Sequence, residues 1–285
     1  MLIALDMDGT LLDSNGRISE RNKEAILEAQ AAGHIVTIAT GRAYKDARAP
    51  LSEADLVCPV IGLNGATITL ADGTVVSDIP VDKTTLIPAL EWVRMQSDLY
   101  CEIYTSEAVY VGLHNREHLE ELANRTVDDS ELVRIVRKQF QQARVTYVQD
   151  IREVWNNEAL VIYKVLIFSL NRELLKEAKQ KFAVLPEVTV TSSHPNNIEV
   201  NNKLATKGQA IKTLAAHYGI DLMDTVVIGD SHNDLSMFAV AGQRVAMGNA
   251  SDEVKRESDY ITARNDEDGV ALFIEELVRK CLKKS

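Results

Sequence analysis

The stretch Leu2-Ile-Ala-Leu-Asp-Met-Asp-Gly-Thr10 places four apolar residues directly before two carboxylates and a glycine. A short apolar run that ends on a polar turn is typical of a strand buried on both faces of a parallel sheet. Two later segments repeat the pattern: Ile35–Ala39 precedes Thr40-Gly-Arg42, and Thr225–Ile228 precedes the turn at 229–234. Because the carboxyl ends of parallel strands meet at one sheet edge, we expect these polar turns to share a crevice.

Helical patterns separate the apolar strands. Ser19 is a candidate N-cap for a helix with Ala25, Ile26 and Ala29 on one face, and Gly33 is a natural stop for it. Strands that alternate with such helices form βαβ units. The sequence therefore predicts an α/β fold with a Rossmann-like three-layer core and a parallel sheet.

The pattern changes in the middle of the chain. From about Val81, amphipathic helices such as Arg116 to Arg125 mix with strands of alternating polarity, which suits a sheet with one solvated face. The sequence thus predicts an inserted α+β domain over 82–186, and a discontinuous core formed by 1–81 and 187–285. Asn197, Glu199 and Asn201 alternate along a short strand that we expect to re-enter the core.

Composition excludes several functional classes. The chain has 285 residues and a formal net charge of −11, which disfavours nucleic acids and anionic membranes as partners. No apolar run approaches the roughly 18 residues of a membrane span, and the N-terminus does not resemble a signal peptide. Three widely spaced cysteines (Cys58, Cys101 and Cys281) are typical of reduced thiols. We therefore expect a cytoplasmic protein.

A fourth polar element adds a cation to the predicted crevice. Thr206 is a candidate N-cap with Gln209 three residues later, a capping-box spacing that places Lys207 in a first helical turn, where anions are favoured. The strand-end turns contribute four carboxylates: Asp6, Asp8, Asp230 and Asp234. Each close pair costs about 4 kcal/mol at 4 Å and an effective dielectric of 20. A cation bound by oxygen ligands, Mg²⁺, would offset this repulsion. The alternative is that these residues only cap turns.

These motifs resemble those of the haloacid dehalogenase-like (HAD) phosphohydrolases, and among them the Cof-type phosphatases. Asp6-Met-Asp-Gly-Thr-Leu-Leu12 is similar to the family's first motif, Thr40-Gly-Arg42 to the second, Lys207-Gly208 to the third, and Gly229-Asp-x-x-Asn-Asp234 to the fourth. The segment inserted between the second and third motifs matches the family's α/β cap in position and size. The resemblance implies a catalytic core with an inserted cap domain.

The resemblance also implies roles for individual residues. Asp6 would be the nucleophile that forms an aspartyl-phosphate, and Asp8 the general acid and base. The ligands implied for the phosphoryl oxygens are the Met7 amide, Thr40, Gly41, Lys207 and Asn233. The ligands implied for Mg²⁺ are Asp6, the Asp8 carbonyl and Asp230, with Asp234 acting on the ion either directly or through water.

The function that follows is a Mg²⁺-dependent phosphatase acting on a small phosphorylated metabolite, such as a sugar phosphate. We expect a monomer or a weak homo-oligomer. Two alternatives stay open: a sugar phosphomutase on the same scaffold, and a phosphometabolite sensor without turnover. The segment His114-x-x-Glu-His118 also matches a zinc-peptidase pattern, but we interpret it as a solvated helix face.

Overall fold

The protein is described by a computed structural model over residues 1–114, 117, 145–193 and 195–282. The chain divides into two compact units. The first combines Met1–Asp78 with Leu204–Ser285, and the second is Ile79–Lys203. One long insertion therefore interrupts the first unit.

The first unit is built on an eight-stranded sheet. Six neighbouring strands run parallel, and a hairpin adds two antiparallel strands at one edge. In spatial order the strands are Tyr260–Ile261, Gln243–Ala246, Thr225–Gly229, Leu2–Leu5, Ile35–Ala39, Val60–Gly62, Thr67–Thr69 and Val75–Asp78. The central strand Leu2–Leu5 is buried throughout, as its continuous apolar run predicts.

Helices cover this sheet, and their apolar residues form one core cluster with its strands. Their bounds are Glu20–Ala31, Tyr44–Glu53, Lys207–His217, Leu235–Phe238, Asp252–Arg256 and Gly269–Leu282, with 3₁₀ turns at Leu63–Gly65, Leu222–Asp224, His232–Asp234 and Asn265–Glu267. Ser19 caps the first helix as expected, since its hydroxyl accepts a hydrogen bond from the Asn22 amide. The predicted α/β fold with a parallel sheet is confirmed.

The second unit has a six-stranded sheet of mainly antiparallel strands. Its strands, in spatial order, are Val188–Thr191, Asn197–Asn202, Ile162–Phe168, Tyr100–Thr105, Val109–Gly112 and Val145–Val148, and its helices include Lys83–Arg94, Arg152–Asn156 and Arg172–Ala183. Alternate residues such as Ile103, Val165 and Val200 belong to an apolar core. Residues of the opposite parity carry a buried polar network in which Glu102 accepts hydrogen bonds from Tyr100 and Tyr104.

The chain returns to the first unit at Leu204, later than the expected residue 187. The strand Asn197–Asn202 does not re-enter the core, because it pairs antiparallel with Ile162–Phe168 and with Val188–Thr191. The expectation for this strand was wrong, since alternating polarity does not reveal which sheet a strand joins. Apart from Glu117, the helix predicted over 116–125 lies outside the described residues, as does His118.

Candidate active site

Strand order brings three of the predicted motifs to one sheet edge. Leu2–Leu5 lies between Thr225–Gly229 and Ile35–Ala39, parallel to both. Leu5 is in register with Ile228 on one side and with Ile38 on the other. The residues that follow these strands therefore emerge at the same edge, which is where open α/β sheets bind ligands.

Lys207 connects the third motif to this edge. The Thr206 hydroxyl accepts a hydrogen bond from the Gln209 amide at 3.1 Å and caps the helix that begins at Lys207. The Lys207 ammonium is fully buried and donates to Asp6 Oδ1 at 2.6 Å and to Asp234 Oδ1 at 2.7 Å. A buried ammonium requires such partners, so this one cation joins the first and fourth motifs.

The two carboxylates of the fourth motif are held by short local contacts. Asp234 Oδ2 accepts hydrogen bonds from the Asp230 and Ser231 amides at 2.9 and 3.0 Å. Asp230 accepts hydrogen bonds from the Thr10 hydroxyl at 3.2 Å and from the Ser231 hydroxyl at 3.1 Å. Thr10 therefore ties the loop of the first motif to the carboxylate of the fourth.

Gly9 packs closely against the carboxylate of Asp230. Its φ of +82° is in the left-handed region that favours glycine. A Cβ atom at this position would lie 2.6 Å from Asp230 Oδ2. The turn after Asp8 therefore requires a glycine for both backbone conformation and close packing.

Three carboxylates form a candidate metal centre. Asp6, Asp230 and Asp234 each offer one oxygen, and these oxygens lie within 4.8 Å of one another. With all three ionised, they and the Lys207 ammonium carry two net negative charges, and only Asp230 among these four side chains is partly exposed. Oxygen ligands and a deficit of two positive charges fit Mg²⁺, so the residues present suit the predicted ion.

Repulsion and burial within this cluster raise the pKa values of two of its carboxyl groups. Burial and the nearby Asp234 carboxylate raise the pKa of Asp6 well above its usual range, although Lys207 opposes this shift. Burial and Asp234 also raise the pKa of Asp230 to about 6. Both shifts have the sign expected when carboxylates are brought together without a full complement of positive charge.

The second motif forms a tight turn at the same edge. Thr40 is buried, its amide donates to the Ile61 carbonyl at 2.8 Å, and its hydroxyl accepts from the Arg42 amide at 3.2 Å. Gly41 lies within this turn. Met7 is also buried, and its carbonyl accepts a hydrogen bond from the Leu12 amide.

Asn64 connects the second motif to the fourth. Its amide donates to the Thr40 carbonyl at 3.0 Å, and its side-chain oxygen accepts from Asn233 Nδ2 at 3.3 Å. Asn64 and the preceding Leu63 both have positive φ values, +60° and +51°, which is a strained conformation for non-glycine residues. These two strained residues therefore lie beside Asn233, the predicted phosphate ligand, whose side chain donates to Asn64.

The Asp8 side chain has a different partner from the other three carboxylates. Its side chain is about half exposed and forms a two-point ion pair with Arg42. The structure thus gathers the side chains of Asp6, Asp230, Asp234 and Lys207 into one largely buried cluster, while the carboxylate of Asp8 is held by a different cation.

Sequence reasoning missed two residues that hold the first motif's loop. Asn249 Nδ2 donates to the Gly9 carbonyl at 2.7 Å. Asn265 donates its backbone amide to Asn249 Oδ1 at 2.9 Å and its side-chain amide to the Leu12 carbonyl at 2.9 Å. These asparagines are some 240 residues away from the loop, so no local pattern in the sequence could have identified them.

Comparisons with known proteins agree with this arrangement. A family model described as haloacid dehalogenase-like hydrolase matches residues 3–274. The chain is 35% identical to phosphatase YwpJ of Bacillus subtilis over 97% of this chain and 99% of that protein. It is 38% identical to the B. subtilis 5-amino-6-(5-phospho-D-ribitylamino)uracil phosphatase YwtE, with 97% of both chains covered.

Solved structures show the same similarity in three dimensions. A haloacid dehalogenase-like hydrolase from B. subtilis superposes with a TM-score of 0.86 at 34% identity, covering 97% of this chain and 99% of that one. The HAD subclass IIB sugar phosphatase BT4131 superposes with a TM-score of 0.78 at 26% identity, covering 97% and 98%. Within the described residues, no helix combines the length and apolar character needed to cross a membrane. The chain therefore belongs to the haloacid dehalogenase-like hydrolase family, as an enzyme of the phosphatase type.

Proposed function

We propose that this protein is a Mg²⁺-dependent phosphomonoester hydrolase that transfers the phosphoryl group of a small phosphorylated metabolite to Asp6 and then to water. The observation that supports this most directly is the buried contact between Asp6 and Lys207 at 2.6 Å within a cluster of three carboxylates. A buried nucleophile beside a fixed cation is the arrangement that phosphoryl transfer needs, because the reaction depends on positioning and charge neutralisation.

In the first step, a carboxylate oxygen of Asp6 attacks phosphorus while the bond from phosphorus to the leaving oxygen breaks. Asp8 donates its proton to that oxygen, so the substrate's alcohol leaves neutral. Lys207 and the Thr40 turn, with Gly41, the Met7 amide and Asn233, would hold the phosphoryl oxygens.

In the second step, Asp8 accepts a proton from water as the water oxygen attacks phosphorus. The bond between phosphorus and Asp6 then breaks, inorganic phosphate leaves, and the Asp6 carboxylate is restored.

The residues that would hold Mg²⁺ are the carboxylates of Asp6, Asp230 and Asp234 and the carbonyl of Asp8. When bound, the ion supplies positive charge that offsets the negative charge of the carboxylates and the phosphoryl oxygens. The net charge of the cluster and the raised pKa values of Asp6 and Asp230 support this assignment.

The substrate class is supported by the relatives. YwtE is named for a phosphorylated ribitylaminouracil, and BT4131 is described as a sugar phosphatase. Both names describe a phosphate ester on a polyol or sugar chain. We therefore propose sugar and polyol phosphates as the substrate class.

Replacement of the nucleophile tests the proposal. Asp6→Asn should lower phosphate release from p-nitrophenyl phosphate and sugar phosphates by on the order of 10⁴-fold or more, whereas the exposed Asp252→Asn should retain wild-type activity. Borohydride reduction during turnover, followed by peptide mass spectrometry, should modify Asp6 in the wild type. Full activity of Asp6→Asn, or modification elsewhere, would contradict the mechanism.

The same assay separates the two alternatives. A phosphomutase would convert a sugar phosphate to an isomer with little release of inorganic phosphate. A sensor would bind phosphate esters without Mg²⁺-dependent turnover above the rate in buffer. Either outcome would overturn the proposed hydrolysis.

A further inference from the structure

Arg42 and Asp8 form a two-point ion pair. Arg42 Nε donates to Asp8 Oδ2 at 2.8 Å, and Arg42 Nη2 donates to Asp8 Oδ1 at 2.6 Å. Both oxygens of the carboxylate are thus engaged by one guanidinium. The two residues follow neighbouring parallel strands, Leu2–Leu5 and Ile35–Ala39, so the sheet itself brings them together across 34 positions of the chain.

The backbone of Arg42 is fixed on both sides. Its amide donates to the Thr40 hydroxyl at 3.2 Å, and its carbonyl accepts from the Leu63 amide at 2.9 Å. The guanidinium therefore extends from an anchored turn. The carboxylate plane of Asp8 is free to rotate apart from this ion pair, because the χ2 angle of aspartate is broadly distributed and the side chain is 47% exposed.

An exposed ion pair of this kind contributes little to stability, typically 0 to about 1 kcal/mol. Its geometry is more informative than its energy. A planar guanidinium that binds both carboxylate oxygens sets the orientation of the carboxylate plane, which a lysine ammonium cannot do. Proton transfer to or from Asp8 depends on that orientation, since a misplacement of about 1 Å can reduce a rate 100-fold.

We propose that Arg42 is a positioning residue that orients the Asp8 carboxylate for proton transfer, an inference that rests on the proposed function. Arg42 itself exchanges no proton. Each carboxylate oxygen keeps a second lone pair that the guanidinium does not use. In the first step the proton lies on such a lone pair of Asp8 and passes to the leaving oxygen as the bond to phosphorus breaks. In the second step the ionised carboxylate, still held by Arg42, takes a proton from the attacking water on the same side.

Leaving-group dependence distinguishes positioning from a structural role. The value of kcat/KM reports steps up to release of the alcohol, in which a good leaving group needs little protonation and a poor one needs much. We would compare 2,4-dinitrophenyl, p-nitrophenyl and phenyl phosphate with an alkyl phosphate. Arg42→Met should lose about 100-fold in kcat/KM on the alkyl ester and less than about tenfold on the dinitrophenyl ester. Asp8→Asn should show the same trend more strongly.

The chain offers a matched control in a second two-point pair. Arg244 Nε donates to Asp259 Oδ2 at 3.0 Å, and Nη2 donates to Oδ1 at 2.5 Å, with side chains 38% and 39% exposed. Arg244→Met removes the same contacts from the same unit and should leave the leaving-group dependence unchanged. Arg42→Lys should resemble Arg42→Met, because the positive charge remains while the two-point geometry is lost.

The outcomes separate this inference from the proposed function. If the wild type hydrolyses none of the esters, both are rejected. If the wild type is active and Asp8→Asn changes the leaving-group dependence while Arg42→Met gives a uniform loss or none, the positioning role alone is rejected.

Discussion

Among single residues, Asp230 makes the stability of the metal-free protein depend on pH. Burial and Asp234 raise its pKa from 3.8 to about 6, so the folded state binds the proton more tightly than the unfolded state does. This contribution to stability is complete below about pH 4 and is lost as the pH rises through about 6. From Asp230 alone, we expect the free energy of unfolding to fall by roughly 1 kcal/mol between about pH 5 and pH 7.5.

Urea unfolding in the presence of a chelator measures this effect. The change between the two pH values should be smaller in Asp230→Asn than in the wild type by at least that amount, because the substitution removes the raised pKa of Asp230 and also the part of the upward shift of the Asp6 pKa that Asp230 causes. An identical pH dependence in the two proteins would show that Asp230 does not carry the raised pKa.

At the scale of elements, the helix Lys207–His217 positions Lys207 by approaching the helix Leu235–Phe238 closely. A Cβ atom on Gly208 would lie 2.0 Å from the Ser236 carbonyl oxygen. Alanine is favoured over glycine inside a helix by about 1 kcal/mol, but this contact is with backbone and cannot relax without moving the helix. We expect Gly208→Ala to displace Lys207 and to lower kcat/KM at least tenfold, as measured by steady-state kinetics. This loss corresponds to an increase in the activation free energy of about 1.4 kcal/mol or more.

Gly219 provides the matched control at the other end of the same helix. Its φ is +66° and nothing lies within 4 Å of a Cβ built there. Gly219→Ala should cost about 1 kcal/mol of stability through the left-handed backbone, while kcat/KM stays at the wild-type value. Equal loss of activity in both variants would indicate a general effect of helix destabilisation instead.

At the scale of the whole molecule, the candidate metal centre lies within the first unit, because its carboxylates come from residues on both sides of the insertion. Mg²⁺ that binds only the folded state should stabilise that unit, by about 2.7 kcal/mol at a concentration 100 times the dissociation constant. Native-state hydrogen exchange should show slower exchange of core amides in 1–78 and 204–282.

The amides of 79–203 provide the internal comparison for this experiment. Their exchange should be unchanged by Mg²⁺ where it occurs through opening of the second unit alone. In Asp230→Asn, Mg²⁺ should slow the hydrogen exchange of the first unit less than it does in the wild type. If Mg²⁺ also slowed those amides of 79–203 that exchange through opening of the second unit alone, the ion would not act through a site confined to the first unit.

Much of the fold could be predicted because strong local signals coincide with it. Leu2–Leu5 and Ile35–Ala39 were predicted with the bounds that the structure shows, since continuous apolar runs that end on polar turns have few alternatives. The strand Asn197–Asn202 was assigned to the wrong sheet. Its alternating pattern marks a strand, but the choice between two sheets depends on partners such as Ile162–Phe168, which lie far away in the chain.

The sequence by itself determined the α/β class, the chemistry of the four motifs and the expectation that they meet, because strand direction and the polar ends of strands are local properties. Only the tertiary structure decided which cationic side chain pairs with which carboxylate. Lys207 pairs with Asp6 and Asp234, whereas Arg42 holds Asp8. It also decided that Asn249 holds the loop at Gly9. The physical reason is that ion pairs and hydrogen bonds act over a few ångströms, and chain folding brings together residues separated by 34 to 240 positions.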